Sequence, residues 1–480
     1  MRRPGLAVAL VLSLSATAGC GARLNDDQLR AATQRSTTGG AAPGLAGAAG
    51  DVAAGDAGGD ATQPAASADA GAPAAASPAG PQSGAPGGGG GPVATAVPID
   101  AGTSGPCRPS GGATDKGVSD TEVQIGNVAT ISGPVPGLGQ TMVNGTKAYV
   151  AYVNAKGGVC GRKLKLVTGD DRLDTGANRS ETARLKDQVF AFVGSWSVVD
   201  DGGATVLDGT NIPDVTLALS DRRSGLANNF SPNPIKPNAG TNGVVKMMQY
   251  FKATYGVTKA GIVWPAQSTA KAKAMSYVND MKAAGLQVVA QSEVAVTQTD
   301  YNGVATQLKN AGAELVITAL ETTGMARLAQ ACNQQNYHPK VPYWGAQAYG
   351  QKFLQQAGSS ANGTLIGVTY AIPEDAARTP SVATMAQWYA RANPGAELDF
   401  FAIVGWAATD MFVKALTAAG AQPTRDKVLG ALRGYHDFDA DGVLAPHTDP
   451  AGKNPSPCFA VLGVEGGKWK RVAPASGFIC

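Results

Sequence analysis

The chain has 480 residues and a formal net charge of only +3 at pH 7. A charge this close to zero does not provide the basic surface that nucleic-acid binding requires, so we expect no nucleic-acid partner. Residues 31–105 contain no aromatic residue and consist mostly of alanine, glycine, proline, serine and aspartate. Such a composition buries too little apolar surface to offset the entropy lost on ordering, which predicts a flexible tether over residues 21–106.

The N-terminus has the pattern of a secretory signal. A basic start is followed by a short apolar stretch at residues 6–14 and by the small-residue ending Ala18-Gly19-Cys20, which predicts a signal peptide over residues 1–20. The ending resembles that of bacterial lipoproteins, in which the cysteine is lipidated and becomes the mature N-terminus. We expect an extracytoplasmic protein held at the outer face of the cell membrane by lipid on Cys20. The alternative is an ordinary secretory signal in which Cys20 is incidental.

The remaining five cysteines would lie in an oxidising compartment. Cys107 precedes the first predicted strand and Cys160 lies in a glycine-rich turn, while Cys458 and Cys480 bracket the last hairpin-like segment. These positions predict the disulfides Cys107–Cys160 and Cys458–Cys480, although connectivity does not follow from sequence alone. Cys332 lies in a helix pattern and is predicted to be a buried free thiol.

From residue 107 onward, apolar strand patterns alternate with amphipathic helix patterns. The first series predicts strands at 123–128, 164–167, 191–193 and 214–219, with helices at 139–156, 179–189 and 197–207. The second predicts helices at 244–255, 269–284, 301–311 and 325–335, with strands at 260–264, 287–293, 315–319 and 341–344. Alternation of this kind indicates parallel sheets covered by helices. The sequence therefore predicts two similar α/β lobes.

One buried strand ends in the polar turn Gly194-Ser195-Trp196-Ser197. In open parallel sheets, ligands bind at the carboxyl ends of the strands, where helix N-termini present unpaired N–H groups. The two serines would then offer hydroxyl and backbone donors to a polar ligand group, and Trp196 a flat apolar wall. The alternative is that a serine only caps the next helix and Trp196 fills the core.

The reactive residues argue against an enzyme. The chain has three histidines, none of them at a metal-ligand spacing or in a Ser/His/Asp-like set, and it lacks a phosphate-binding glycine-rich loop. The paired acids Asp170-Asp171 and Asp200-Asp201 would point in different directions on a strand or helix, which disfavours a glycosidase. We therefore expect no catalytic activity, no metal and no cofactor.

Three motifs occur in order after residue 117: Ser132-Gly133-Pro134, the run NAKGGVCGR at residues 154–162, and Asp170-Asp171. Together they resemble the opening of the leucine/isoleucine/valine-binding-protein family, the type I periplasmic solute-binding proteins of ABC importers. The resemblance implies an α/β fold of two Rossmann-like lobes that are joined by three crossovers and close on a ligand.

The resemblance also implies how the chain is divided between the lobes. Residues 401–416 should pack in the first lobe, because the chain is expected to return there near residues 367–369 and to leave again near residues 436–442. The implied division is a first lobe of residues 107–238 and 367–436 and a second lobe of residues 239–366 and 437–480.

The family's ligand contacts can be carried over by position. In the first lobe they fall on Ser195, Trp196, Ser197, Ala218 and Ser220, and in the second on Gln267, Thr269, Glu321 and Gln347.

Gln347 stands where amino-acid binders often place an acid. An amide cannot neutralise a buried ammonium, so Glu321 would take that role, unless it is a solvated or helix N-terminal charge. We therefore expect the ligand to be an amino acid, an amide or an aromatic acid.

The resemblance implies a monomeric solute-binding lipoprotein that delivers its ligand to the permease subunits of an ABC importer. A ligand-sensing receptor of the same fold, signalling to a membrane partner, is the alternative, because fold does not fix function.

Overall fold

The computed structural model describes Cys107 and residues 112–480. The predicted signal peptide at residues 1–20, the lipidation site Cys20 and the tether at residues 21–106 lie outside these described residues, and they stay predictions.

The first sheet is entirely parallel, with the strand order β2-β1-β3-β4-β5. Its central strands β1 and β3 are largely apolar and buried on both faces, as expected for a parallel sheet between helix layers, whereas the edge strand β2 exposes Lys163 and Lys165. The strands are β1 Glu122–Ala129, β2 Lys163–Asp170, β3 Ala191–Val193, β4 Asp214–Val215 and β5 Asn229–Phe230. The helices between them are α1 Gln140–Ala155, α2 Thr175–Lys186, α3 Asp201–Leu207 and α4 Asp221–Gly225.

The second sheet has seven strands in the order β12-β11-β10-β9-β8-β6-β7 and is parallel except for an antiparallel edge formed by its last two strands. The strands are β6 Lys259–Pro265, β7 Gln287–Val294, β8 Leu315–Thr318, β9 Val341–Tyr343, β10 Leu365–Val368, β11 Ala460–Glu465 and β12 Lys468–Ala473. The helices are α5 Val245–Tyr255, α6 Ser268–Ala283, α7 Asn302–Asn310, α8 Thr322–Gln334 and α9 Gln351–Ala357.

Three further helices return to the first lobe: α10 Pro380–Ala392, α11 Phe400–Ala418 and α12 Arg425–Leu432. The Tyr149 hydroxyl of α1 donates to Asp410 of α11 over 2.6 Å, and the Tyr149 ring packs against Trp406 with centroids 4.7 Å apart. Among the described helices, α11 is the one long and apolar enough to cross a bilayer, yet 83% of that apolar stretch is buried inside the protein. It is therefore a core helix of this lobe.

The chain thus passes between the lobes three times: between β5 and α5, between β10 and α10, and between α12 and β11. This confirms the expected α/β fold of two Rossmann-like lobes joined by three crossovers. One boundary differs from the expectation, because Gly367 belongs to β10 and pairs with Val461 of β11 in the second sheet. The return to the first lobe therefore follows the end of β10.

The predicted elements differ from the observed ones mainly at their ends. Helix α2 begins before the predicted residue 179, because the Asp174 side chain accepts a hydrogen bond from Ala177 N over 2.7 Å and caps the helix there. The predicted strand at 214–219 ends after Val215, because the main-chain N–H of Leu219 turns to the buried Asp200 carboxylate at 2.7 Å.

Both predicted disulfides are confirmed: Cys107 is bonded to Cys160, and Cys458 to Cys480. Cys332 is a buried free thiol on α8. Burial raises the pKa of Cys332 to about 12, so the thiol stays protonated and unreactive at neutral pH.

Candidate ligand-binding cleft

A cavity of about 420 Å³ lies between the two lobes. Its wall comes from the segments that follow β1, β3 and β4 in the first lobe and β6, β8 and β9 in the second, so it opens at the carboxyl ends of both parallel sheets. This is where ligands bind in open α/β sheets. The volume falls within the usual range for small-molecule sites.

The first lobe supplies an apolar wall. Trp196 is only 5% exposed and packs on Phe401 at the start of α11, with ring centroids 4.3 Å apart. The Trp196 Nε1 atom is buried and has no hydrogen-bond partner among the described residues. Other apolar side chains in this wall are Leu173, Val198, Leu217 and Leu219.

Gly194 sets the direction of the chain into this wall. Its φ of +66° is in the left-handed region, and a Cβ there would lie 1.9 Å from Thr146 Oγ1. Only glycine fits without a shift of the neighbouring side chain. The turn after β3 therefore begins at this residue and leads Trp196 towards the cavity.

Ser195 and Ser197 do not line the cavity, contrary to the expectation that their hydroxyls hold the ligand. Both are 1% exposed. Ser195 Oγ accepts from the main-chain N–H of Val128 over 3.0 Å, and Ser197 Oγ accepts from that of Val199 over 3.1 Å. The alternative, that a serine caps the next helix, does not describe them either, because α3 begins at Asp201 without a side-chain cap. Both hydroxyls instead satisfy main-chain N–H groups outside that helix.

Ala218 and Ser220 also lie outside the cavity wall. Ala218 is 1% exposed, and Ser220 Oγ caps α4 by accepting from Arg223 N over 3.1 Å. In an extended chain, neighbouring side chains point to opposite sides. The residues beside them, Leu217 and Leu219, therefore reach the cavity instead.

All four residues expected from the second lobe line the cavity: Gln267, Thr269, Glu321 and Gln347. Thr269, in the first turn of α6, donates from Oγ1 to the main-chain oxygen of Val198 over 2.8 Å. This hydrogen bond joins the second lobe directly to the first, so the side chain is engaged in contact between the lobes.

Glu321 and Gln347 are also engaged within the protein. Glu321 caps α8, accepting from Thr323 N over 2.6 Å and from Gly324 N over 2.5 Å. Gln347 Nε2 donates to the main-chain oxygen of Leu320 over 3.3 Å. Glu321 is therefore the helix N-terminal charge that the sequence had offered as an alternative to a ligand-pairing acid.

Lys273 is the cavity residue that the sequence interpretation missed. It lies one helical turn after Thr269 and one turn before Tyr277, and all three line the cavity from α6. Lys273 Nζ lies 5.4 Å from the centre of the Tyr277 ring. Burial lowers the pKa of Lys273 to about 8. The four-residue spacing from Thr269, which places side chains on one helix face, was the signal that would have found it.

Two acids line the cavity near the N-terminus of α11. Asp399 caps this helix by accepting from Ala402 N over 2.9 Å, and burial raises the pKa of Asp399 to about 6. Glu397 accepts from Lys352 N over 3.2 Å through one oxygen, while the other has no hydrogen-bond partner among the described residues. Burial raises the pKa of Glu397 as well.

The part of the chain that the structure describes contains no group of three or more His, Cys, Asp or Glu side chains that could hold a metal ion. The histidines, His338, His436 and His447, lie outside the cavity wall. The chemistry of the cavity is that of an apolar chamber with a few polar side chains, which suits reversible binding.

A family model described as periplasmic binding protein matches residues 122–468. The chain therefore belongs to this family, and the resemblance to the leucine/isoleucine/valine-binding proteins is confirmed.

The chain is 27% identical over 243 residues to Leu/Ile/Val-binding protein homolog 8 of Brucella abortus (strain 2308), an alignment that covers 48% of this chain and 60% of that relative. With homolog 7 of the same strain it is 26% identical over 235 residues, or 46% and 58% of the two chains. The matched regions thus span less than two thirds of these relatives.

Solved structures show the same fold. A fatty acid ABC transporter substrate-binding protein from Thermomonospora curvata aligns with a TM-score of 0.65 at 18% identity, covering 76% of this chain and 94% of that one. A leucine-binding protein from Thermotoga maritima has a TM-score of 0.62 at 18% identity, with 73% and 98% covered. A solute-binding protein from R. palustris in complex with benzoate has a TM-score of 0.63 at 17% identity, with 75% and 97% covered.

Proposed function

We propose that this protein is the extracytoplasmic solute-binding component of an ABC importer. It binds a small solute in the cavity between the lobes and delivers it to a membrane permease. The observation that carries the proposal is the position of the 420 Å³ cavity, which both lobes line with the carboxyl ends of their strands. Membership of the periplasmic binding protein family supports the same role.

Because each lobe carries part of the cavity wall, we propose that the solute binds to one lobe first and that the other lobe then closes over it. A solute first contacts the apolar surface around Trp196, and the second lobe then approaches with α6. The hydrogen bond from Thr269 to Val198 forms only when the lobes meet, so it favours the closed arrangement. A ligand that contacts both lobes stabilises that arrangement by its differential affinity.

The ligand we propose has an apolar body. The walls formed by Trp196, Leu217 and Phe401 favour it, because apolar surface gains free energy when it leaves water. Similar structures include a fatty acid ABC transporter substrate-binding protein and complexes with isoleucine, valine and benzoate. These compounds combine an apolar part with a carboxylate, which lies within the range of amino acids and aromatic acids expected from the sequence.

The proposal also includes a lipid anchor and the absence of enzymatic activity. Lipid on Cys20 would hold a monomer at the outer face of the membrane, with residues 21–106 as the tether. The binding of an unchanged solute requires no catalytic residue, so we propose that the protein is not an enzyme.

Transport is tested by a binding screen followed by uptake. Amino acids, amides, fatty acids and aromatic acids are screened against the full chain by thermal shift, because a ligand that binds only the folded state raises the melting temperature. Uptake of the radiolabelled hit is then measured in cells with and without the gene. We expect uptake to fall in the deletion strain and to return on complementation. Unchanged uptake of a tightly bound hit would overturn transport and favour a sensing receptor.

A further inference from the structure

Lys273 is a half-buried cation with no direct counterion contact among the described residues. Its side chain is half-buried in the cavity wall, and among the described residues its ammonium makes no hydrogen bond and no ion pair. The acid that follows on the same helix, Asp280, raises the pKa of Lys273 through its charge, but its oxygens accept from the Thr241 hydroxyl and from Asn242 N at 2.8 Å. A desolvated ammonium without a partner is costly, and an anion from outside would remove that cost.

The other cationic side chain in the cavity wall, that of Lys352, differs from Lys273 in its exposure to solvent. Lys352 is exposed, and its charge acts on the Glu397 carboxylate, lowering the pKa of that acid against the effect of burial. Of these two cations in the described part of the cavity wall, Lys273 is therefore the half-buried one, with no hydrogen bond or ion pair to its ammonium. Its position on α6 brings it towards the first lobe when the lobes meet.

The cavity is poorly equipped for an α-amino acid. Such a ligand needs donors for its carboxylate and an acid for its ammonium. The hydroxyls of Ser195 and Ser197 are bonded to the backbone, Glu321 caps α8, and Asp399 caps α11. An ammonium in the cavity would have to break one of these capping interactions or pair with the free oxygen of Glu397, whose neutral form burial favours by raising its pKa.

We propose that the ligand is a monocarboxylate with an apolar body, and that Lys273 Nζ binds its carboxylate while the body lies against Trp196, Leu217 and Phe401. This inference rests on the proposed function, because it requires the cavity to be the ligand site. It adds the charge class of the ligand and the residue that recognises it.

The first test compares four probes on the unmodified full chain by calorimetry: octanoate, octanol, octylamine and leucine. Octanoate, octanol and octylamine share one apolar body and differ in the head group. We expect octanoate to bind at least about tenfold more tightly than octanol, because a hydrogen bond to a charged group adds that much affinity. Octylamine and leucine should bind more weakly than octanoate.

The second test removes the charge. Lys273→Met keeps an apolar stem of similar length, and we expect it to weaken octanoate binding by about 10- to 100-fold with little change for octanol. Lys273→Arg should retain octanoate binding. The matched control is Lys271→Met on the same helix, where the side chain is 61% exposed and pairs with Glu293 at 3.5 Å. This control should bind octanoate as the unmodified chain does.

Three results would overturn the inference: octanoate no tighter than octanol, octylamine or leucine preferred over octanoate, or Lys273→Met as tight as the unmodified chain. The probe series needs no variant, so it decides even if Lys273→Met fails to fold. The proposed transport function fails separately, when no hit from the broader screen binds or when a bound hit is not taken up.

Discussion

Thr269 of the second lobe donates a hydrogen bond of 2.8 Å to the main-chain oxygen of Val198 in the first. The donor lies in the first turn of α6 and the acceptor lies in the loop after β3, and both residues line the cavity. This contact therefore connects closure of the lobes with occupation of the cavity.

Thr269→Val should weaken ligand binding without unfolding either lobe. Valine keeps the shape but removes the donor, and a hydrogen bond contributes about 0.5–1.5 kcal/mol, or about two- to tenfold in affinity. Calorimetry with the best ligand from the screen measures the change. Ser276→Ala on the same helix is the matched control, because Ser276 bonds only to Ala272 within that helix. Equal affinity for Thr269→Val and the unmodified chain would show that the contact does not contribute to binding.

Trp196→Ala should weaken binding by about 1–3 kcal/mol through lost apolar and ring contact. Trp196 packs on Phe401 at the cavity wall, so part of the stability of the first lobe should be lost as well. Trp388→Ala is the control, because Trp388 packs on Tyr152 away from the cavity. Calorimetry and thermal melting separate the two effects. Unchanged affinity for Trp196→Ala would place the ligand elsewhere.

Ser220→Ala should lower stability and leave ligand affinity unchanged. Its hydroxyl caps α4 through Arg223 N at 3.1 Å, and loss of such a cap costs about 0.5–2 kcal/mol of the free energy of unfolding. Denaturant unfolding measures that loss, and calorimetry measures the affinity. A large drop in affinity with normal stability would restore the sequence-based expectation that Ser220 binds the ligand.

These outcomes show what the sequence could and could not predict. Apolar periodicity located β3 at its exact residues, because that pattern is set locally. The packing of residues 401–416, now within α11, was implied by the family resemblance. The orientation of Ser195, Trp196 and Ser197 was not predictable, since it depends on how the turn after Gly194 meets β1. The four-residue spacing from Thr269 places Lys273 on the same helix face, but Lys273 was missed because only the opposite lobe turns that face into a cavity wall.

Octanoate affinity should fall as the pH rises above about 8. Burial lowers the pKa of Lys273 to about 8, and only the protonated amine pairs with a carboxylate. Below that pH the amine is charged and the affinity for octanoate is at its maximum. Above it, the affinity falls by up to about tenfold per pH unit. The neighbouring Tyr277 and Tyr343 have raised pKa values and stay neutral there. Asp399, whose pKa burial raises to about 6, is ionised on both sides of pH 8, and burial also raises the pKa values of Asp280 and Glu397.

Calorimetry from pH 6.5 to 9.5 measures this dependence. Octanol serves as the uncharged control and should show no change across the range. Lys273→Arg should give a flat profile with octanoate, because arginine remains charged. A sloping profile in this variant would assign the titration to another group.

Cys20→Ala should release the protein from the membrane fraction without altering its fold. The lipid on this residue would be its attachment, since the tether at residues 21–106 is polar and rich in glycine and alanine. Cell fractionation with immunoblotting detects the change, and Cys332→Ala is a matched control that should stay in the membrane fraction. Retention of the Cys20→Ala protein would rule out lipid anchoring at this residue.

A crystal structure of the full chain with octanoate tests the central claim most directly. We expect the carboxylate within hydrogen-bond distance of Lys273 Nζ, the alkyl chain against Trp196 and Phe401, and both lobes in contact with the ligand. A ligand bound outside the cavity, or within it but away from Lys273 and held by the first lobe alone, would contradict the account.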